Sequence, residues 1–313
     1  MLARILGATE LPRDAAAAAA VLRASWPVGP TAAPDRARPR GEVASPLIAA
    51  RDVTFRYPAA DRDALGPVTL ALTAGTMTAF VGANGAGKST LGLVLAGASR
   101  PRSGEVTFDR RAASDAAARG EIAYVFQFPE RGFLTPTVRE EVAYSARVRG
   151  LPPGPEVDLL IERFGLAPLA AANPHSLSHG EKRRLSVAAA LASRPRALIL
   201  DEPTFGQDWR HARELLAALE DERRRGTLIV LITHDLSLVA DHADRVIALE
   251  AGRVAFDGTP TELFMNDDVL AACALVRPPV AEAFRLARAA RPDIPPLIGL
   301  GALRSALPAA AGA

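Results

Sequence analysis

Nine consecutive residues, Gly82-Ala83-Asn84-Gly85-Ala86-Gly87-Lys88-Ser89-Thr90, have the types and spacing of a phosphate cradle. They read G-x-x-x-x-G-K-S, after a short apolar run (MTAFV, 77–81) and before a helical pattern (91–98), the strand–loop–helix setting this motif requires. Glycines let the backbone curl so that successive N–H groups point at phosphate oxygens, and the following helix adds the positive end of its dipole. In such a loop Lys88 reaches the β- and γ-phosphates, and Ser89 holds Mg²⁺ through its hydroxyl. Thr90 adds a second polar group at the helix start.

A second chemical signal lies downstream. The apolar run ALIL (197–200) empties into Asp201-Glu202-Pro203-Thr204, a strand ending in two carboxylates. With Lys88 and Ser89 upstream, this pattern makes Asp201 an outer partner of Mg²⁺ and Glu202 a base for an attacking water, although such a pair can also cap a following helix. TLIVLIT (227–233) is another buried-strand run and ends at His234, a residue able to donate to a γ-phosphate and to hold Glu202 and water in register. IAYVF (122–126) delivers Gln127 to a strand end in the same way. Leu177-Ser178-His179-Gly180-Glu181 runs directly into a helical pattern, so Ser178 and the backbone at Gly180 stand at a natural anion site. His175 and His179 are four apart and could pair on a metal, but no third ligand is apparent.

The elements that must position these groups can be read from pattern. Strand runs dominate from Leu47 to Asp109, helical periodicity takes over between Thr137 and Gly165 around Pro152-Pro153-Gly154-Pro155, and buried-strand runs return after residue 196. RVIAL, a turn at Glu250-Ala251-Gly252, and RVAFDG make a hairpin. The expected organisation is an alanine-rich helix and proline-rich linker over 1–46, an α/β domain over 47–265 with a helical insert at about 130–180, and an Ala/Pro-rich extension over 266–313. Leu2–Arg4 and Leu286–Arg288 carry a weak LAR echo, for which chance in alanine-rich sequence is the blander explanation and an internal repeat the other.

Composition narrows the function classes. The 313 residues carry a formal net charge of only +2, which gives no broad electrostatic case for a nucleic-acid partner. The single cysteine, Cys273, excludes an internal disulfide and reads as a small core residue. No apolar run approaches the ~20 residues needed to span a bilayer, and Ala15–Leu22 reads as a helix rather than a leader because Glu10 and Asp14 precede it.

Together these motifs resemble the ATP-binding cassette (ABC) ATPases over residues 47–265. The resemblance implies an α/β fold, a P-loop NTPase core of the ABC type with an antiparallel β subdomain and a helical subdomain insert. It makes Tyr57, which alone would read as a packing residue, the aromatic that stacks on adenine. Gly82 to Thr90 become the ATP-binding loop, Gln127 the glutamine that touches Mg²⁺ and senses a transmembrane partner, and His234 the switch histidine. Ser178, His179, Gly180 and Glu181 become the signature that faces the ATP of a second cassette, and Asp208 the D-loop aspartate. His179 and Glu181 depart from the family's glycine and glutamine, and Gln207 from its leucine. VFQFPE, TVREEVAYS, LSHGEKRRLSVA and DEPTFGQD look most like the ATPases of energy-coupling factor importers for vitamins and cobalt. That implies a peripheral protein on the cytoplasmic face of the membrane. Its expected partners are a transmembrane coupling subunit, a second ABC ATPase and a substrate-capture subunit. A soluble cassette of translation or DNA maintenance, or a weakly hydrolysing regulatory cassette, are the alternatives.

Overall fold

The alanine run begins the described structure as helix α1 (Ala15–Ser25). Asp14 caps it by accepting from the Ala17 N–H at 2.8 Å, as short polar side chains do at a helix start. The structure, a computed structural model, describes residues 13–26 and 45–306. Pro27 to Pro39 and the Leu2–Arg4 half of the echo lie outside the described residues. Two units make up the remainder, residues 45–234 with 249–254, and residues 13–26 with 235–248 and 255–306.

In the first of these, β1 (Ile48–Phe55), β2 (Leu65–Leu72), β4 (Ser103–Phe108) and β5 (Arg111–Ala112) form an antiparallel sheet in the order β2-β1-β4-β5. The alternation of buried and exposed positions along β2 is that of a sheet with one covered face. β3 (Met77–Val81), β6 (Ile122–Val125), β7 (Ala197–Asp201) and β8 (Leu228–Ile232) form the second layer. They pair in parallel as β3-β8-β7-β6. Every residue of β3, β7 and β8 is buried. Such runs suit strands covered on both faces, which is why they show no alternation in the sequence.

Helix α2 (Lys88–Leu95) follows the cradle. Gly92 lets it approach the sheet, since a Cβ there would lie 2.6 Å from Ile232 Cδ1. After α3 (Ala113–Ala118), α4 (Val138–Val148) and α5 (Pro155–Arg163) fall in the range expected for the helical insert, and α6 (His179–Ala192) starts at its end. Pro155 opens α5 instead of breaking it, as a residue whose missing N–H has no helical partner at the first position can. Helix α7 (Trp209–Arg224) joins β7 to β8.

The other unit holds α8 (Leu236–His242), α9 (Pro260–Phe264), α10 (Asp267–Ala272), α11 (Pro279–Ala290) and α12 (Leu300–Ala306). The chain also forms a hairpin of β9 (Arg245–Glu250) and β10 (Arg253–Gly258), whose turn at Ala251 and Gly252, with φ of 46° and 78°, belongs to the first unit. Two consecutive positive φ values give the tight turn whose twist matches paired strands. The Ala/Pro-rich extension has a core of its own. Ala18, Ala19 and Leu22 of α1 pack with Ala283, Phe284 and Ala287 of α11. Trp26 meets Phe284 edge to face at 5.5 Å, and Arg291 Nη1 donates to the carbonyls of Arg23 and Trp26 at 2.9 and 3.3 Å. Small alanines on both helices allow this close contact between segments over 260 residues apart. Cys273 is buried, 1% exposed.

Arg277 bridges α9, α10 and α11, donating to the Phe264 carbonyl, to Asp267 and to Glu282. Arg285 and Arg277 hold the Glu282 carboxyl at about 2, far below its ordinary value. A carboxylate whose folded pKa is depressed stabilises the fold above its unfolded pKa, and the gain disappears as pH falls toward the folded value. Glu282→Gln is therefore expected to lower the thermal unfolding midpoint at neutral pH, with the gap from the parent protein closing between about pH 5 and pH 2. A gap that stays constant over that range would contradict the assignment.

Candidate nucleotide site

The cradle connects β3 to α2, and its geometry requires glycine. Gly82 has φ of 139°, and a Cβ there would stand 2.3 Å from the Leu249 carbonyl oxygen. Lys88, 9% exposed, folds its ammonium back into the loop and donates to the Gly82 and Ala83 carbonyls at 2.8 and 2.9 Å. Burial pushes its pKa down, opposed by the charges of Glu202 and Asp201. A buried ammonium with only carbonyl partners gains strongly by exchanging them for phosphate oxygens.

A cleft of about 380 Å³ opens beside this loop. Tyr57, Lys88, Ser89, Gln127, Asp201 and Glu202 are among the residues that line it. The sequence-predicted residues of the loop, of both strand ends and of the aromatic position are thus brought to one place. The Tyr57 hydroxyl hydrogen-bonds Thr90 Oγ1 at 3.0 Å, and its ring stands edge-on to Phe55. Nearly half exposed (44%), the ring is open to a stacking partner.

Strand register supplies the carboxylates. Asp201 of β7 sits opposite Ile232 of β8, so the residues just beyond them meet. Glu202 Oε1 lies 2.8 Å from His234 Nδ1, and Oε2 accepts from the Thr233 hydroxyl at 3.3 Å. Its amide donates to the Ile232 carbonyl at 2.8 Å, which holds Glu202 at φ of 50°. A glutamate in the left-handed region is a strained placement that the surrounding strands enforce. Asp201, 6% exposed, accepts from the Tyr124 hydroxyl at 3.1 Å. Burial first, and then the Asp201 charge, push the Tyr124 pKa well above its ordinary value, so it remains a donor.

Residues 177–181 do not line this cleft. Ser178 caps α6, and Glu181 completes a capping box. Glu181 Oε2 accepts from the Ser178 N–H at 2.8 Å and from its hydroxyl at 2.7 Å, and the Ser178 hydroxyl bond holds the Glu181 pKa below the ordinary range. The anion site expected at this helix start is thus already filled by a carboxylate of the chain itself, a consequence of the Ser-x-x-Glu spacing. The His179 ring stands edge-on to Phe205 at 6.2 Å, and His175 edge-on to Phe133 at 5.9 Å. Among the described residues no cluster of three or more His, Cys, Asp or Glu could hold a metal ion. Asp208 caps α7 through the His211 N–H at 2.9 Å, with His211 Nδ1 at 2.6 Å.

Sequence reading missed Tyr124, Thr233 and Arg183. Tyr124 is one of only three tyrosines and sits three residues before Gln127. Arg183 shares a helix face with Val187 and Leu191, an arginine at an apolar period that could have been noticed. A second hollow of about 290 Å³ runs along β6 and the insert. Phe126, Tyr144 and Val148 line it and are 39%, 39% and 51% exposed.

The ABC transporter family model matches residues 65–205. Energy-coupling factor transporter ATP-binding protein EcfA of Methanothermobacter thermautotrophicus is 33% identical over 244 residues, 75% of this chain and 78% of its own length. YkoD of Bacillus subtilis, an ATP-binding protein provisionally assigned to HMP/thiamine import, is 40% identical over 203 residues, 64% of this chain. The chain spans just 37% of YkoD's length. The solved structure of cbiO1 from Clostridium perfringens, part of the ABC transporter complex cbiONQ, overlays with a TM-score of 0.61 at 30% identity, covering 72% of this chain and 93% of cbiO1.

Lys88→Ala removes the only ammonium that lines the cleft among the described residues. It is expected to weaken ATP binding about tenfold or more, the size of a lost charged hydrogen bond, as read by titration with a fluorescent ATP analogue. Unchanged affinity would contradict the cradle assignment.

Proposed function

The chain belongs to the ATP-binding cassette ATPases, and on that premise we propose that it is the ATP-hydrolysing subunit of an energy-coupling factor importer, powering a separate transmembrane subunit. The observation that carries the reading is the Glu202 carboxylate, held by His234 and Thr233 in the cleft that Lys88 also lines. ATP phosphates enter the Gly82–Thr90 loop, Lys88 exchanges loop carbonyls for the β- and γ-phosphates, and Tyr57 stacks on adenine. Glu202 takes a proton from a water that attacks the γ-phosphorus, the bond to the β–γ bridging oxygen breaks, and ADP and phosphate result. His234 orients Glu202 through Nδ1 and stabilises the γ-phosphoryl group. Ser89, Gln127 and Asp201 offer the hard oxygen donors that Mg²⁺ takes, and the bound ion would neutralise charge on the β- and γ-phosphates.

Completion by a second cassette is supported by the cleft's wall, which includes none of residues 177–181. Each cassette is proposed to present Ser178 to Glu181 to the other's ATP, with Asp208 nearby. Glu181 must then swing out, because its carboxylate occupies the Ser178 hydroxyl and N–H. The hollow along the insert, with Tyr144 and Val148 exposed beside the strand that carries Tyr124, suits an apolar segment of the transmembrane subunit. No helix among the described residues is long and apolar enough to cross a membrane, in keeping with a peripheral place on its cytoplasmic face. The HMP/thiamine import named for YkoD supports a vitamin as cargo; a metal ion as the other cargo, and a separate capture subunit, belong to the energy-coupling factor reading itself. The near-zero net charge offers nucleic acid no footing.

A weakly hydrolysing regulatory cassette is favoured by one observation, the Glu181 carboxylate at the start of α6. The same experiment decides between the readings. Glu202→Gln is expected to lower steady-state hydrolysis at least about 100-fold while ATP binding persists. Turnover unchanged by the substitution, or absent already from the parent protein with its partners present, would overturn the proposal.

A further inference from the structure

One buried side chain ties the helix that starts at Ser178 to both strand ends of the cleft. Arg183 of α6 is 0% exposed. Its Nη1 donates to the Phe126 carbonyl at 2.6 Å and to the Asp201 carbonyl at 3.3 Å, and its Nη2 donates to the Gln127 carbonyl at 2.5 Å. Its Nε has no hydrogen-bond partner among the described residues. Burial pushes the Arg183 pKa down, opposed by the charges of Asp201, Glu202 and Glu130.

This is an expensive way to fill a core. A guanidinium removed from water and bonded to carbonyls through only three of its five N–H groups loses more hydration than an apolar side chain of similar length. What it supplies is geometry. The planar fork fixes carbonyls of residues 126, 127 and 201 relative to one another and to α6, something no apolar residue can do. Gln127 cannot shift away from the Asp201 strand end without breaking these bonds, and α6 cannot turn without carrying both.

We propose that Arg183 is a positioning residue that sets the Gln127 loop against the Asp201–Glu202 strand end. The proposal rests on the reading of Gln127 and Glu202 as site residues given above. Its role lies in turnover and not in ATP affinity, because Arg183 does not line the cleft.

A double-mutant cycle on the purified full chain tests it, with Arg183→Met, Gln127→Ala, their combination, and Arg183→Lys as a second variant that keeps a charge but not the fork. For each, kcat, KM, fluorescent-ATP affinity and thermal midpoint are measured. Arg183→Met is expected to keep the melting midpoint and to keep ATP affinity within about threefold, while kcat falls about tenfold or more. Arg183→Lys is expected to fall in between, and the double variant to match Gln127→Ala within about twofold. If Arg183→Met does not fold, Arg183→Lys carries the same cycle. Three results would overturn the proposal: kcat within twofold of the parent protein, loss of kcat that merely follows loss of fold or of ATP binding, or a double variant whose loss is the product of the two single losses. If Gln127→Ala alone leaves kcat unchanged, the assignment of Gln127 fails and the proposal falls with it, while the Glu202 test remains independent.

Discussion

The register of β7 against β8 is the constraint on which the site depends. Because the two strands run parallel with Asp201 opposite Ile232, the first residues past both ends emerge at the same edge. Glu202 therefore meets Thr233 and His234, and β6, in register with β7 from Ile122 to Val125, brings Tyr124 to Asp201 and Gln127 to the cleft. β3, paired with β8, sends its loop into the same space. A slip of one residue would turn each side chain to the opposite face and separate the carboxylates from their donors. The burial of every residue of β3, β7 and β8 makes such a slip costly, so the core that stabilises the sheet also holds the chemistry.

The cleft stores unfavourable arrangements that ligand binding relieves. Lys88 is buried with carbonyl partners, and Asp201 and Glu202 are held near it by neutral or titratable donors. Glu202 adds a strained backbone at φ of 50°. Each is tolerated because neighbouring strands over-determine its position, and each aims a charge at the space between. At the start of α6 the logic is reversed, since Glu181 satisfies the helix terminus internally and an incoming phosphate must compete with it.

Much of this was legible in the chain. The Gly82–Thr90 spacing, the apolar runs that empty into Asp201-Glu202 and into His234, and the helical periodicity after Thr137 are local patterns, each with a physical cause that does not depend on distant residues. What escaped depends on tertiary contact. Tyr124 becomes a partner of Asp201 only because β6 and β7 are neighbours, and Arg183 finds its carbonyls on strand ends 18 and 56 or more residues away. The packing of α1 on α11 could not be read from two alanine-rich segments, because an alanine stripe acquires meaning only when Phe284 and Trp26 are seen beside it. The Ser-x-x-Glu spacing at Ser178 and Glu181 fits both a capping box and an anion site at a helix start, and the fold decides for the capping box.

The proposed coupling is that this nucleotide site drives a membrane subunit through the helical insert. The most direct measurement is to place a photo-crosslinking amino acid at Tyr144, in the hollow along the insert, and to irradiate native membrane vesicles with and without ATP and vanadate. One dominant adduct is expected, a protein with several membrane-spanning segments, whose yield changes with nucleotide. Adducts confined to proteins without such segments would contradict it.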